Sequence, residues 1–447
     1  MPFKDGPSRF SRAPGLLTLA AHAIAILLAC VSANAAAPMK EPPLPLIPAS
    51  RIDITAYGAV GDGKTLNTAA FAKAVAACGR AGGGSVIVPP GVYVTGPISL
   101  VSHMALVVEK GATIQAADRF SDFGLPDPLP ASQPELDKLR KSLKSLISGT
   151  DLQDVAIRGE GVIDGAGAVW WAKSDRASRT TGLPYVPRPN LIVLKKCERV
   201  HISGVTLSNS PQFHLVPQLC TNTLIENLKI LAPSDSPNTD AIDPSNCRNM
   251  LIRQVMTDTG DDNIAFKAGD AGPTENITVT DCVFKHGHGV SIGSETSGGV
   301  RNILVQRCTF EGTGTAIRIK SARGRGGVIE NVTYRDIVMK NVDMAITINL
   351  YYADKTEAKR PERQPVTADT PIVRNIQITN ITCEGAKSAG EIIGLPEMPA
   401  AGIILSNIRI TSSTGFNIQD AKGVQFNDVS FSTSPKPPEV PKAASSP

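Results

Sequence analysis

Three carboxylates, an imidazole and two cations stand in four short motifs along the middle of the chain. The motifs are Asn238-Thr239-Asp240, Gly260-Asp261-Asp262, Gly287-His288-Gly289 and Arg318-Ile319-Lys320, at intervals of 22 to 30 residues. Regular intervals of this size are typical of repeat folds, in which each repeat adds one coil to a solenoid. If each interval is one coil, these side chains lie together on one face. Such a cluster suits acid/base chemistry on an anionic substrate.

The two adjacent aspartates can reach one cleft only if the backbone turns, and Gly260 allows that turn. Asp240, from the preceding coil, would join Asp261 and Asp262, and packing like charges raises the pKa of at least one carboxyl. One protonated acid beside ionised carboxylates is what glycosidic bond cleavage requires. Each aspartate taken alone is better explained by a calcium site or a solvated loop. The whole set, in register with two cations, favours catalysis.

The cations and the imidazole point to recognition of an anionic group. Alternation along a strand puts Arg318 and Lys320 on one face and Ile319 in the core. An Arg-x-Lys triplet usually marks a solvated strand face, but two cations beside a carboxylate cluster can hold a substrate carboxylate. His288 lies between two glycines that let the backbone present its ring. We predict a supporting role for His288, in tuning the acid or holding the substrate.

A repeated phrase (asparagine, aliphatic, any residue, aliphatic) indicates the elements that position these side chains. It begins at Asn249, Asn276, Asn302, Asn331, Asn375 and Asn407, with a looser copy at Asn222. Each copy alternates apolar and polar residues, as half-buried strands do, and no helical pattern separates the copies. We therefore predict an all-β chain that forms a parallel β-solenoid. Asn67 is predicted to cap a helix from about Thr68 to Cys78, which would cover the open end.

The composition agrees with many short strands and turns. Of 447 residues, 39 are glycine and 34 are proline, aromatics make up 4% and hydrophobic residues 42%. Removal of residues 1–35 would take away three basic side chains and Asp5 and lower the formal net charge from +4 to +2. That near-neutral balance argues against general nucleic-acid or membrane adhesion. Seven cysteines follow residue 35, an odd count that leaves at least one thiol free. Their register predicts small buried hydrophobes, and no CxxC pair supports a metal site.

The ends of the chain predict export. Residues 1–35 resemble a secretory signal peptide, with a basic start, an apolar core too short to span a bilayer and a cleavage pattern at Ala33-Asn34-Ala35. A lipoprotein box at Leu27–Cys30 fits poorly. The predicted organisation continues with a Pro-rich linker over 36–50, a catalytic domain over 51–432 and a disordered tail over 433–447. Residues 116–148 and 353–370 are expected to form loops over one face.

The four motifs, in this order, resemble those of the polygalacturonases, glycoside hydrolase family 28. Four further segments read like bacterial members: SNSPQFHLVP (208–217), SPNTDAIDPSN (236–246), GDDNIAFKAG (260–269) and GVSIGSETSGGVRN (289–302). DITAYGAVGDGKTLNTAAF (53–71) is similar to the start of many pectin-degrading β-helix proteins. That likeness explains the phosphate-loop pattern at 58–65 as a glycine-rich turn. The resemblance covers roughly residues 51–432.

The resemblance implies a single-stranded, right-handed parallel β-helix of the pectin lyase-like type, with a capping helix at its N-terminal end. It implies hydrolysis of α-1,4 bonds between galacturonic acid units with inversion, and requires no metal or cofactor. Asp261 would be the general acid, Asp240 and Asp262 would activate water, and His288 would support the acid.

Three further positions carry over from the family. Arg318 and Lys320 would grip the galacturonate carboxylate at the scissile bond. Tyr351 would contact the substrate, although Tyr352 beside it leaves the choice open. Asn263 stands where many relatives carry cysteine, and the sequence suggests no mechanistic consequence.

Several alternatives stay open at this point. A hydrolase of rhamnogalacturonan or xylogalacturonan would share the fold, but the GHG and RIK motifs favour plain galacturonan. A pectate lyase would bind calcium with the aspartates, whereas the NTD and GHG motifs favour hydrolysis. A catalytically inactive adhesin would be expected to have lost its carboxylates.

The expected protein is an exported monomer, periplasmic or extracellular, without a membrane span. Its expected partner is polygalacturonate or an oligogalacturonide of the cell wall. Endo or exo action, chain-length preference and tolerance of methyl esters are left open.

Overall fold

The computed structural model describes residues 39–352 and 362–433. The predicted signal peptide, the first half of the loop predicted over 353–370 and almost all of the predicted tail lie outside the described residues. Within the described ranges the chain is built mainly of short parallel strands. No helix in those ranges is long and apolar enough to cross a membrane.

The first half of the solenoid contains sixteen strands. In chain order they are β1 (Arg51–Asp53), β2 (Asp62–Leu66), β3 (Gly84–Val88), β4 (Gly91–Thr95), β5 (Ile98–Ser99), β6 (Met104–Val108), β7 (Ala112–Ala116), β8 (Ile147–Thr150), β9 (Gln153–Gly159), β10 (Val162–Asp164), β11 (Ile192–Lys195), β12 (Glu198–Ser203), β13 (Thr206–Ser208), β14 (Leu215–Gln218), β15 (Thr221–Glu226) and β16 (Lys229–Leu231).

The second half continues in the same way. Its strands are β17 (Arg248–Arg253), β18 (Met256–Asp258), β19 (Asp262–Phe266), β20 (Thr274–Thr280), β21 (Val283–Phe284), β22 (His288–Ile292), β23 (Val300–Gln306), β24 (Thr309–Glu311), β25 (Thr315–Lys320), β26 (Val328–Lys340), β27 (Met344–Asn349), β28 (Ile372–Ile393), β29 (Ala400–Gln419), β30 (Ala421–Lys422) and β31 (Gln425–Thr433). The helices are α1 (Thr68–Arg80), α2 (Gln133–Lys138), α3 (Ala168–Trp171) and α4 (Asp175–Thr181), with 3-10 helices at Ile54–Tyr57, Phe120–Phe123 and Leu139–Lys141.

Each coil gives one strand to each of three parallel faces. The first face includes β9, β12, β15, β17, β20 and β23, and the second includes β10, β13, β16, β18, β21 and β24. The third face includes β8, β11, β14, β19, β22, β25 and β27. The predicted parallel β-solenoid is therefore confirmed.

Register between coils builds the core from columns of equivalent residues. One buried aliphatic column runs through Met250, Ile277, Ile303, Val332, Ile376 and Ile403. Every coil covers the apolar residue of the coil before it, so no single coil can bury its own apolar side chains. An aromatic pair, Phe284 and Phe310, stacks in the same way with ring centroids 5.0 Å apart.

Six of the predicted asparagines form a second kind of column, at a corner of the coils. From Asn375 back to Asn222, each side-chain amide donates to the next side-chain oxygen at 3.0 to 3.4 Å. Their φ angles of 53° to 57° lie in the left-handed region, which asparagine tolerates better than most residues.

Asn407 does not continue that column, and the prediction that it opens the next copy is wrong. Its amide donates to Asn380 at 2.9 Å, and Ile408 pairs with Ile381. Gly402, with φ of 63°, lies against Asn375 in its place. Both corners need a left-handed residue, so the sequence phrase alone does not distinguish one corner from the other.

The helix α1 covers the first coil, as predicted, and packs on β1, β3 and β5. Its buried side is formed by Phe71, Ala74, Val75 and Cys78. The predicted side-chain cap is absent. Asn67 instead accepts from the Val60 amide at 2.7 Å and donates to the Thr65 carbonyl at 2.6 Å, so it ties the preceding loop together.

Two insertions leave the solenoid and pack on each other. The first insertion (117–146), predicted as a loop, contains α2 and two of the 3-10 helices. The second insertion (165–188), which the sequence did not reveal, contains α3 and α4. Trp170 of the second insertion is fully buried, with its ring centroid 4.5 Å from Phe120 and 5.9 Å from Phe123 of the first.

The described part of the predicted linker packs against the solenoid. We call residues 39–50 the strap. The Met39 amide donates to Thr278 at 3.1 Å, Glu41 pairs with Arg253 at 3.0 Å, and the Leu46 amide donates to Asp154 at 2.9 Å. These partners belong to β20, β17 and β9, so the strap crosses successive coils of the first face.

The seven described cysteines are buried and unpaired. They are Cys78, Cys197, Cys220, Cys247, Cys282, Cys308 and Cys383. The prediction that they act as small buried hydrophobes is confirmed.

Candidate active site

The third face brings the predicted carboxylates and cations together. Asp262 opens β19 and pairs in register with His288 at the start of β22. Arg318 and Lys320 lie on β25, the next strand of the face. One oxygen from each of Asp240, Asp261 and Asp262 lies within 4.8 Å of the others. We call these three residues the carboxylate cluster.

Asp262 is the ionised member of the cluster. Its oxygens accept hydrogen bonds from Lys320 at 2.6 Å, Ser291 at 2.7 Å and Arg318 at 3.0 Å. Burial opposes ionisation, but the charges of Lys320 and Arg318 outweigh it and lower the pKa of Asp262 to about 2. Asp262 is therefore an ionised carboxylate at neutral pH.

Asp240 has the opposite environment. It is 4% exposed, and its Oδ1 has no hydrogen-bond partner within the described residues. Burial raises the pKa of Asp240 well above its usual range, and the charges of Asp243 and Asp261 raise it further. The sequence predicted one raised carboxyl without saying which. Of the two carboxyls whose pKa is shifted, Asp240 is therefore the one that favours the protonated form.

Asp261 is held by a chain of polar contacts that the sequence analysis missed. Asn238 donates to its Oδ2 at 3.3 Å, and Arg188 donates to the side-chain oxygen of Asn238 at 2.7 Å. Arg188 is 8% exposed and also binds the carbonyls of Pro211 and Pro237, at 2.8 and 2.6 Å. Because these acceptors fix the guanidinium, Asn238 has one orientation and Asp261 is oriented with it.

His288 is presented by a turn that only glycine can form. Gly287 has φ of 82°, and a Cβ there would lie 2.1 Å from the Asp261 carbonyl oxygen. The His288 amide donates to that same oxygen at 3.0 Å. Burial and the nearby Arg318 charge lower the pKa of His288, so the imidazole is neutral at pH 7.

Asn263 has a consequence that the sequence did not suggest. Its amide donates to the carbonyls of His288 at 2.6 Å and His286 at 3.1 Å, and its oxygen accepts from Thr257 at 2.5 Å. It is fully buried. Asn263 therefore joins the turn of the acidic pair to the turn of the histidine.

Three further groups behind the cluster were also missed. Lys267 bonds to Asp243 and lies 3.8 Å from Asp240, with its ammonium 4.1 Å above the Phe213 ring. Burial raises the pKa of Asp243 to about 6, although Lys267 opposes this. His214, fully buried, accepts from the Ser210 amide at 3.3 Å and donates to the Asp240 carbonyl at 3.1 Å. The signal available in the sequence was a charged or polar residue next to an apolar strand, His214 before β14 and Lys267 after β19.

The two tyrosines differ from the sequence expectation. Tyr351 is 2% exposed and lies under Arg323, whose guanidinium is 5.4 Å from its ring centre. Tyr352 is 39% exposed, with its ring 5.2 Å from the Lys320 ammonium and 5.7 Å from the Arg318 guanidinium. The exposed ring beside the two cations is therefore that of Tyr352, whereas the predicted Tyr351 is turned into the core.

The spacing of the cluster bears on two mechanistic questions. Oxygens within 4.8 Å are closer than the roughly 6.5–9.5 Å usual for inverting glycosidases, so the spacing does not itself argue for inversion.

Three carboxylates at this distance could also bind a metal cation. Calcium takes roughly six to eight oxygen ligands, however, and both oxygens of Asp262 already accept bonds from Lys320, Arg318 and Ser291.

Comparisons with known proteins agree with this geometry. The family model for the glycosyl hydrolases family 28 matches residues 78–433. A probable polygalacturonase of Vitis vinifera is 34% identical over 367 residues, which covers 79% of this chain and 73% of the relative. An endo-polygalacturonase of Pectobacterium carotovorum subsp. carotovorum is 31% identical over 370 residues, covering 79% and 86%. The crystal structure of an exopolygalacturonase from Thermotoga maritima is 29% identical with a TM-score of 0.71, covering 87% of this chain and 94% of that one.

Proposed function

The chain belongs to the glycosyl hydrolases family 28, and from that premise we propose that it hydrolyses the α-1,4 bonds of polygalacturonate. The observation that carries the proposal is the carboxylate cluster set against Arg318 and Lys320. A cluster with one proton and one fixed charge supplies an acid and a base. The adjacent cations suit a substrate that carries a carboxylate on every sugar unit.

The pKa values divide the chemical roles. Asp262, ionised, takes the proton of the attacking water. Asp261, the most exposed carboxyl of the cluster, gives a proton to the leaving glycosidic oxygen. Asp240, whose pKa is raised by burial, has an oxygen within 4.8 Å of an oxygen of Asp261 and would supply it with a proton. We therefore assign Asp240 to the acid side of the reaction with Asp261, in place of the water-activating role that the family resemblance implied for it. His288 is assigned as a neutral group that orients the substrate beside them.

Substrate binding changes the charge around the base. A galacturonate carboxylate that binds Arg318 and Lys320 competes with Asp262 for the same hydrogen bonds. As those bonds weaken, the pKa of Asp262 rises and the carboxylate becomes a stronger base when water must be deprotonated. Tyr352, beside both cations, would pack its ring against the sugar unit they hold.

The test is incubation of the purified mature protein with polygalacturonate and a chelator, following reducing ends and ultraviolet absorbance together. Reducing ends without absorbance are expected from a metal-independent hydrolase. Absorbance that appears only when calcium replaces the chelator would mean a lyase and would overturn these roles. Asp261→Asn is the matched control, because it should bind the polymer and release no reducing ends. Product lengths from the wild type then distinguish endo from exo action.

We also propose that the protein is exported and acts as a monomer on cell-wall pectin. The basic start, apolar core and cleavage pattern of residues 1–35 support export. Expression of the full chain in a bacterium, followed by N-terminal sequencing of the exported product, should give Ala36 as the first residue. Full-length protein retained in the cytoplasm would contradict export, and a dimer in size-exclusion chromatography with light scattering would contradict the monomer.

A further inference from the structure

A cationic cleft lies beside the carboxylate cluster, between the second insertion and the turn that carries Asn238. Its volume is about 510 Å³, and its lining includes Arg140, Arg179, Tyr185, Arg188 and Asn238. Asn238 belongs to both sites, because its amide donates to Asp261 at 3.3 Å. The roles assigned above use none of the other side chains that face this cleft, except Arg188 as the partner of Asn238.

The cleft carries a surplus of positive charge. Among its described lining residues are three arginines and one carboxylate, Asp175, which lies 3.6 Å from Arg179 and 3.7 Å from Arg188. Asp137, near the rim, accepts from the Tyr185 hydroxyl at 2.8 Å and lies 3.9 Å from Arg140. The side chains of Arg140 and Arg179 are 52% and 81% exposed. Both guanidinium groups therefore keep N–H donors directed to solvent.

The position of the cleft matches a polymer that lies along the stack of coils. Arg188 precedes β11 and Asn238 follows β16, so the cleft lies on coils before β19. Arg318 and Lys320 lie on β25, two coils after β19. Arg318 and Lys320 bond to Asp262 directly, whereas the cleft lies on the other side of the cluster along the stack, beyond Asn238. Neighbouring parallel strands are about 4.8 Å apart, so a polymer along the stack would meet both cationic sites.

We propose that this cleft is a second uronate-binding subsite, in which Arg140 and Arg179 bind the carboxylate of a galacturonate unit beyond Asp261. The proposal rests on the proposed hydrolysis of polygalacturonate and adds a specificity determinant to it. Guanidinium groups bind carboxylates with two parallel hydrogen bonds. Tyr185 positions the Arg140 guanidinium, which lies 5.5 Å from its ring centre and donates to its hydroxyl at 3.1 Å.

The test combines Arg140→Ala with Arg179→Ala in the Asp261→Asn background and measures tetragalacturonate binding by calorimetry. The dissociation constant is expected to rise about tenfold or more, because two charge-assisted contacts are lost. Binding of an uncharged galactose tetramer should not change. In the active enzyme, the same double variant should lower kcat/KM for polygalacturonate by a similar factor. Arg179→Ala alone should give a smaller loss, and it keeps the Arg140–Tyr185 contact.

A charge-matched control is Lys73→Ala with Arg80→Ala, both exposed on α1. An equal loss of affinity in this control would mean general attraction of a polyanion and would overturn the subsite. Tetragalacturonate binding within twofold of the parent in the Arg140/Arg179 variant would also overturn it. In that case hydrolysis of polygalacturonate by the wild type would leave the proposed function intact. A wild type that does not hydrolyse polygalacturonate would refute the function itself.

Discussion

The immediate neighbours of two aspartates in one cluster shift their pKa values in opposite directions. Asp262 accepts bonds from Lys320 and Arg318, whereas Asp240 has a buried oxygen without a partner in the described part of the chain. Both residues are buried, so burial alone does not explain the difference. The difference is that two cations hydrogen-bond to Asp262, whereas the one cation near Asp240, Lys267, lies 3.8 Å away and bonds to Asp243.

Lys320→Ala should therefore change the pH profile as well as the affinity. Lys320 lowers the pKa of Asp262, so the removal of Lys320 raises that pKa. As the pH falls, Asp262 then becomes protonated, and stops acting as a base, at a higher pH than in the wild type. The acidic limb of kcat/KM should move to higher pH, with a raised KM and a lower kcat at neutral pH. Kinetics from pH 3 to pH 8 measure this. An unshifted limb with normal KM would remove Lys320 from the site.

Asp240→Asn should stabilise the protein while it removes activity. The pKa of Asp240 is higher in the folded state than in the unfolded state, where it is roughly 3.9. The wild type therefore loses stability as the pH rises above that unfolded-state value. The asparagine side chain does not ionise, so the variant has no such loss. The gain in melting temperature over the wild type should be larger at pH 8 than at pH 4.5. Thermal unfolding at both values measures it. A gain that is independent of pH would mean that Asp240 is ionised in the resting protein.

At the scale of elements, turns rather than strands decide where the catalytic groups lie. Asn263 connects two such turns through the carbonyls of His288 and His286. The sequence resemblance predicted the residues at the turns but not this connection. The connecting partners are main-chain atoms, which carry no sequence signal.

Asn263→Ala should destabilise the protein by about 1–3 kcal/mol, because two buried carbonyls lose their donor. It should also lower kcat more than it raises KM, since His288 loses its fixed position. Urea unfolding and steady-state kinetics measure the two effects. Asn263→Asp is the matched variant, because its size is preserved and its donor is lost. If Asn263→Asp behaves as wild type, the connection does not position His288.

The asparagine column offers a test of the corner conformation. Asn302 has φ of 57° and hydrogen bonds to asparagines on both neighbouring coils. Asn302→Ala should lose these bonds and add about 1–2 kcal/mol of left-handed strain, whereas Asn302→Gly should lose the bonds alone. Urea unfolding of the two variants should therefore rank glycine above alanine. The reverse order would show that the conformation is not what the column selects.

Particular residues show where prediction from the sequence ended. Asp240, Asp261, Asp262, Arg318 and Lys320 were predicted because coil register converts intervals along the chain into neighbours in space. Tyr351 was taken from the family resemblance, which left Tyr352 open, and strand alternation could not decide between them because it does not continue through the turn that follows β27. Arg188 lies in an insertion, where register does not apply, so its link to Asn238 could not be anticipated.

At the scale of the whole molecule, the thiols belong to the core and not to a redox site. Burial raises the pKa of Cys383 to about 12, and all seven described cysteines are buried. The mature protein should therefore show no reaction with a thiol reagent until it unfolds, and then seven thiols should react. A reductant should leave its melting temperature unchanged. Rapid labelling of the native protein, or a drop in melting temperature with reductant, would contradict this.

The strap is synthesised before the coils that it binds and can attach only after those coils have formed. Met39 bonds to Thr278, a partner 239 residues further along the chain, and Glu41 and Leu46 bond to Arg253 and Asp154. These partners come into line only after the coils between β9 and β20 have stacked. A nascent chain that stalls or stacks out of register midway therefore leaves its own beginning unattached. Attachment of the strap therefore requires that the coils from β9 to β20 have stacked in register, and a protease would cut a detached strap more readily than an attached one.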